Sequence, residues 1–436
     1  MGRLAALDRL RGIVMVLMVL DHARDFYFGV HVHPMDPAQT TPILAATRWV
    51  THFCAPAFVL LAGASAYLYG RKRSARERAV FLVTRGLWLV VLEITVVKIG
   101  WAPEPFYYFT LLQVIWAIGW SMVLIAPLSM LPPRVLAALG AIMIASHNLL
   151  DSLRFDGSFL WSVIHQRQVF EPLEGHFVSV GYPLVPWVSV MMLGFGAGEL
   201  FAKGRTRVFL WIGIGSTIAF VILRGLNGYG DPAPWSVQPH AWQTLVSFLD
   251  CEKYPPSLAY LLMTLGPIAI ALYALDRYAS SGTHSGERSE AQSGTQSGAQ
   301  SEVQSEAQSG TQSGAQSRAR SEVRSGARSG ARSGTQSSTP AGALARALET
   351  IGRVPLFFYV AHLWLLRFTS LGFAFARWGM GAIRMPPEGH AGSPEWPLWA
   401  TYLAWATTIA ILYPACRWYA ALKERRSAQW WWLRYL

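Results

Sequence analysis

LDRLRGIVMVLMVLDHARDF, residues 7–26, sets an unbroken apolar run, Ile13–Leu20, between a basic opening and a polar knot of Asp21, His22, Arg24 and Asp25. At 1.5 Å per residue, Asp21 and His22 lie about 15 Å inside such a helix, close to the middle of a hydrocarbon core roughly 30 Å thick. Ionisable groups are costly at that depth unless paired or facing water, so they mark a functional site by default. The competing reading is structural: an Asp–Arg pair and a hydrogen-bonded histidine that fasten helices together.

The remaining sequence repeats the apolar part of this pattern. Hydrophobic residues make up 52% of the chain and charged residues 14%, with 19 Trp, which excludes an ordinary soluble domain. Spans are expected near 12–30, 50–70, 79–99, 107–130, 134–150, 181–201, 207–224, 256–276, 354–374 and 398–419. Alternation of the kind a barrel needs is absent, so the fold class is all-α: a polytopic integral membrane bundle of about ten helices. Basic residues follow the second span (Arg71, Lys72, Arg73, Arg76, Arg78), the sixth (Lys203, Arg205, Arg207) and the tenth (Arg417, Lys423, Arg425, Arg426), whereas 225–255 holds only Lys253. That asymmetry places both termini in the cytoplasm. The net charge of +12 is then topology and contact with membrane lipid, with no nucleic acid implied. No cleavable signal peptide is expected, because the first apolar run is a full span without a small-residue cleavage site.

Residues 1–279 are read as eight spans, 280–340 as a low-complexity cytoplasmic loop of Ser, Gly, Gln and Arg, and 341–436 as two further spans with a basic tail. Cys54, Cys251 and Cys416 form neither a disulfide framework nor a zinc pattern. The Pro- and Gly-rich stretch 225–255, with Trp235 and Trp242, reads as an interfacial aromatic belt or as a cover over a site.

Further polar residues enter the spans. His52 stands one turn inside the second, beside Thr51 and four residues before Pro56, which breaks the helical ladder. Its bland reading is a histidine near a carbonyl freed by that proline. Glu93 lies mid-span and suits a partner for a histidine or for Lys98, or a packing role. His362 is at mid-depth in the ninth span, where it can meet His22. His31, His33 and Asp36 share the first exterior loop, but three such residues in one loop are too weak a pattern, and no metal is expected.

In order, LDRLRG, DHARDF, THFCAPAFVLLAG, RGLWLVVLE, KYPPSLAYLLMTLGP and GRVPLFFYVAH resemble the bacterial branch of the heparan-alpha-glucosaminide N-acetyltransferase-like membrane proteins. The resemblance covers the chain apart from the low-complexity tract, and the opening is also similar to that of the type 3 membrane acyltransferases. It implies a helical bundle in the bacterial inner membrane that takes an acyl group from cytoplasmic acetyl-CoA. The acyl group passes to an amino or hydroxyl group of a sugar or glycan acceptor on the other face. It implies a catalytic histidine on the exterior side of the first helix, which His33 matches by spacing from His22, while His22 and His52 are the alternatives. Tyr359, Val360 and His362 match the family's late helix. A homodimer is compatible with this reading.

The chemistry consistent with both lines is direct transfer, with His22 or His52 as general base, a contribution of about 10²- to 10⁴-fold. Asp21 or Glu93 would orient the imidazole, and Arg24, Thr51 or a freed backbone N–H would stabilise the oxyanion. Arg9, Arg11, Arg71 and Arg85 are the expected contacts to the donor's phosphates, although positive-inside topology predicts such a rim by itself. Two other classes use the same residues: a transporter or channel with Asp21, His22, Glu93 and His362 as a relay, and a scaffold in which all of them are paired and dry.

Overall fold

In the computed structural model, residues 2–29, 33–101, 108–279, 340–379, 395–426 and 429–430 are described. The low-complexity residues 280–339 and His31 lie outside them. The chain is an all-α polytopic membrane protein in its spanning part. Helix α1, Gly2–Tyr27, is followed by α2, Pro42–Thr51, and α3, Cys54–Gly70, which together make the second predicted span. Pro56 has no N–H for the carbonyl of His52, and the two helices part there; the Tyr260 hydroxyl donates to that carbonyl at 2.7 Å instead. Helix α4, Ala75–Leu92, opens on a Ser74–Glu77 capping box and continues through a π turn, Glu93–Val97, to Trp101.

The fourth predicted span is a correction. Residues 109–112 form a strand, β1 (Phe109–Leu112), and the helix after it, α5 (Val114–Leu128), has 15 residues. Helix α6, Pro133–Ser146, runs through a 3₁₀ turn to Leu150 and leads to α7, Phe159–Ile164, then β2, Gln168–Leu173, and β3, His176–Val180. The strands form one sheet in the order β1-β3-β2, with β1 parallel and β2 antiparallel to β3. This small sheet was not expected. Then come α8 (Leu184–Ala202), α9 (Arg207–Leu226), α10 (Ala241–Leu249), α11 (Leu258–Ala279), α12 (Pro340–Arg353), α13 (Pro355–Trp378) and α14 (Leu398–Arg426).

Among the described residues, seven helices are long and apolar enough to cross a membrane: Pro42–Gly70, Ala75–Trp101, Pro133–Leu150, Leu184–Ala202, Arg207–Leu226, Leu258–Ala279 and Pro355–Trp378. Helices α1 and α14, at 26 and 29 residues, have the length but carry several charges. Glycines let the helices approach closely, as is usual where packing rather than hydrophobicity holds a membrane bundle. A Cβ on Gly194 of α8 would lie 2.1 Å from the carbonyl oxygen of Leu60 in α3, and one on Gly352 of α12 would lie 1.8 Å from that of Asp8 in α1. Basic residues gather at this end of the bundle. Arg11 reaches Ser65 and the Gly352 carbonyl, at 2.8 and 3.2 Å, and Arg353 meets Glu349 and Glu424.

At the other end, buried Arg224 donates to the carbonyls of Phe248, Ala233, Ser247 and Asp250, which ties residues 225–257 into a cap. Trp242 packs there against a small core of Met35, Ala45 and Val246. The Gly352 crossing carries a prediction: Gly352→Ala should lower the thermal midpoint in detergent at a cost of about 1–3 kcal/mol. Gly372→Ala, where a Cβ meets nothing within 4 Å, should leave it unchanged or higher.

Candidate active site

Asp21 and His22 are adjacent on α1, so the helix turns their side chains toward different neighbours. His22 points at α13. Its Nδ1 lies 2.8 Å from His362 Nε2, the ring planes are 11° apart with centroids at 5.0 Å, and both residues are buried. His362 Nδ1 lies 2.8 Å from the carbonyl of Phe358, one turn earlier in the same helix. A carbonyl only accepts, so His362 Nδ1 carries a proton. In the neutral imidazole, Nε2 is then the acceptor, which His22 Nδ1–H fills. His22 Nε2 is left with the lone pair. The pair is walled by the indole of Trp101, edge-on to His22 at 4.9 Å, and by Tyr359, whose ring is 6.3 Å from His22 and 5.6 Å from His362.

Asp21 points the other way, toward α2. Its carboxylate accepts from Arg24 at 2.7 Å, from Arg48 at 2.9 and 3.2 Å and from Thr51 Oγ1 at 2.8 Å, while Arg24 also meets Asp25 at 2.7 Å. The hub ties α1 to α2 and orients no imidazole. Thr51 and Arg24 Nη2, expected as oxyanion donors, are bound to Asp21, while Arg24 Nη1 is buried without a partner among the described residues. His52 adjoins the hub through Thr51. Its ring meets Tyr260 edge-on at 5.5 Å, and its Nδ1 is buried without a hydrogen-bond partner among the described residues.

Glu93 meets neither a histidine nor Lys98. Its Oε2 accepts from the backbone N–H of Trp116 at 3.2 Å, at the amino end of α5, where Gln113 offers no side-chain cap. A carboxylate there satisfies orphan N–H groups and faces the positive end of the helix dipole. Its Oε1 is buried with no hydrogen-bond partner among the described residues. His33 is exposed on the loop after α1. It lies near Asp250, whose carboxyl burial pushes up to about 6 against the pull of His33. Among the described residues no group of three or more His, Cys, Asp or Glu converges as metal ligands would.

A cavity of about 340 Å³ opens at the basic end and runs between α1, α3, α4, α5 and α13. Arg11, Arg85, Arg353 and Lys423 line it together with an apolar wall that includes Met15, Phe58, Leu89 and Ile115, and it reaches Tyr359. Of the expected phosphate contacts, Arg11 and Arg85 line this space. Arg9 and Arg71 do not: Arg9 pairs with Glu349 at 3.6 Å and lies over Tyr278, and Arg71 is exposed at the end of α3. Sequence reading did not single out Arg353 and Lys423, which line the cavity, or Trp101, whose ring touches His22. Tyr359 was visible as the residue three before His362, but nothing local pointed it at a cavity. The ion hub gives a test: Asp21→Asn leaves two buried guanidinium groups without their carboxylate and should cost about 3–5 kcal/mol of stability by thermal melting, against about 1 kcal/mol for Thr51→Val.

The sequence matches the family model described as "Heparan-alpha-glucosaminide N-acetyltransferase, catalytic" over residues 3–227. That stretch contains His22, His33, His52 and Glu93 and ends before Tyr359 and His362. No curated protein matches the chain. The family match spans more than half of the 436 residues and agrees with an apolar helical bundle built around a buried histidine pair. The chain belongs to the heparan-alpha-glucosaminide N-acetyltransferase family of membrane acetyltransferases.

Proposed function

We propose that this chain moves an acetyl group from acetyl-CoA, entering at the basic end, to an amine or hydroxyl of a sugar-like acceptor that arrives from the opposite face. The observation that carries the reading is one continuous cavity with four cationic side chains at its lining and Tyr359 at its inner reach, one ring contact from His22 and His362. Arg11, Arg85, Arg353 and Lys423 supply the positive charge that a donor with several phosphates needs, and planar guanidinium groups suit phosphate oxygens best. The apolar wall suits the uncharged arm that carries the thioester.

His22 Nε2 is the base in this proposal. As the acceptor's nitrogen or oxygen forms its bond to the thioester carbonyl carbon, His22 Nε2 takes the proton from that atom, and the carbonyl π pair moves onto oxygen. Collapse re-forms the carbonyl and breaks the C–S bond, and the CoA thiolate takes the proton from His22. His362 accepts from His22 Nδ1–H throughout, so the imidazole keeps its orientation and a positive charge on it is shared. Residence in a bacterial inner membrane, with the basic end in the cytoplasm, is part of the proposal and is supported by the basic-residue asymmetry and the resemblance described above.

Thermal melting of the detergent-purified protein tests the donor. At 100 times its dissociation constant, acetyl-CoA should stabilise by roughly 2.7 kcal/mol, and ADP by less. Arg353→Ala should weaken this shift at little cost to the unliganded protein, because Arg353 is half exposed and its ion pairs lie at the surface. His22→Ala should keep the shift and slow release of CoA about 10²- to 10⁴-fold. A folded sample that no acyl-CoA stabilises would contradict the proposal and favour the transporter.

A further inference from the structure

Beside the histidine pair, the Tyr359 hydroxyl and Trp101 Nε1 are buried, and the indole N–H faces the hydroxyl oxygen, so the Tyr359 proton is left with no acceptor among the described residues. Leaving such a group unpaired costs about 1–3 kcal/mol, which natural structures rarely accept without a role for the site. Both groups are donors. Both belong to rings that touch His22, and Tyr359 also lines the cavity, so they stand between the cavity and the base. The donors expected from the sequence, Thr51 and Arg24 Nη2, are held by Asp21 on the other side of α1.

Resting on the acetyltransferase reading, the geometry points to the Tyr359 O–H, positioned by Trp101 Nε1–H, as the donor that binds the thioester carbonyl oxygen and holds the oxyanion during transfer. Neither group gives up its proton. As the new bond to carbon forms, the carbonyl π pair comes to rest on an oxygen already facing the Tyr359 O–H. The pair returns to carbon when the C–S bond breaks and CoA leaves with the proton from His22. A donor fixed before the reaction needs no reorganisation, and in a site closed to water it has a large effect. Glu93 Oε1, an acceptor, has the opposite polarity. If it were the true partner of the Tyr359 hydroxyl, the tyrosine would turn away from the ligand.

Infrared difference spectroscopy with [1-¹³C]acetyl-CoA on the full-length protein in detergent separates these arrangements. A hydrogen-bonded carbonyl absorbs at lower frequency, so the bound thioester band should lie below that of free acetyl-CoA. Tyr359→Phe should return most of that shift and Trp101→Phe part of it, while both variants keep the thermal stabilisation by acetyl-CoA. Release of CoA should slow about 10²- to 10³-fold in Tyr359→Phe. Binding with a carbonyl band that neither variant moves would overturn this assignment and leave the acetyltransferase reading standing. Absence of acetyl-CoA binding in the folded wild-type protein would overturn both.

Discussion

The hydrogen bond from His362 Nδ1 to the carbonyl of Phe358 is made within one turn of a single helix, and it sets the proton arrangement of everything that histidine touches. Because the carbonyl has no proton to give, the direction of the next bond, from His22 to His362, is fixed as well. In the proposed reaction this leaves the His22 Nε2 lone pair free to act as the base. The two rings are nearly coplanar and come from α1 and α13, helices more than 300 residues apart in sequence, so the pair also registers the first helix against one of the last.

The hydrocarbon surroundings explain why the other ionisable residues are elsewhere. A buried charge there must be paired, and Asp21 and Glu93 have been given partners by neighbouring elements. Asp21 takes two arginines and a threonine and so anchors α2 at the point where the second span is broken. Glu93 takes the orphan N–H groups at the start of α5, which is short and begins directly after a strand. Tyr260 takes the carbonyl that Pro56 releases. Among the described residues, the Tyr359 hydroxyl at the inner reach of the cavity is one of the buried groups left unpaired, and a ligand there would complete it.

Much of the bundle was legible in the sequence because hydropathy and length are local properties. The apolar run Ile13–Leu20 marked the depth of His22, and Pro56 marked the break after His52. The short α5 was not legible: residues 109–112 are apolar like the helix that follows, and what draws them into a strand is pairing with residues 177–180, far along the chain. The charged first turns of α1 looked like a flank to the span. They are helical because α12 packs on them through Gly12 and Gly352, a contact no periodicity announces. For the site, residue types were readable and partners were not. Asp21, next to His22, looked like its orienting carboxylate, but successive residues on a helix face different ways. Arg353 and Lys423 are ordinary members of basic stretches until the fold brings them to one cavity with Arg11 and Arg85.

The most direct test of the account is an experimental structure of the protein in a lipid environment with a non-reactive thioether analogue of acetyl-CoA. The phosphates should lie among Arg11, Arg85, Arg353 and Lys423, and the acyl carbonyl oxygen should lie within hydrogen-bond distance of Tyr359, on the side from which His22 Nε2 faces the carbonyl carbon. An analogue bound away from this cavity, or one whose acyl end points away from the histidine pair, would contradict it.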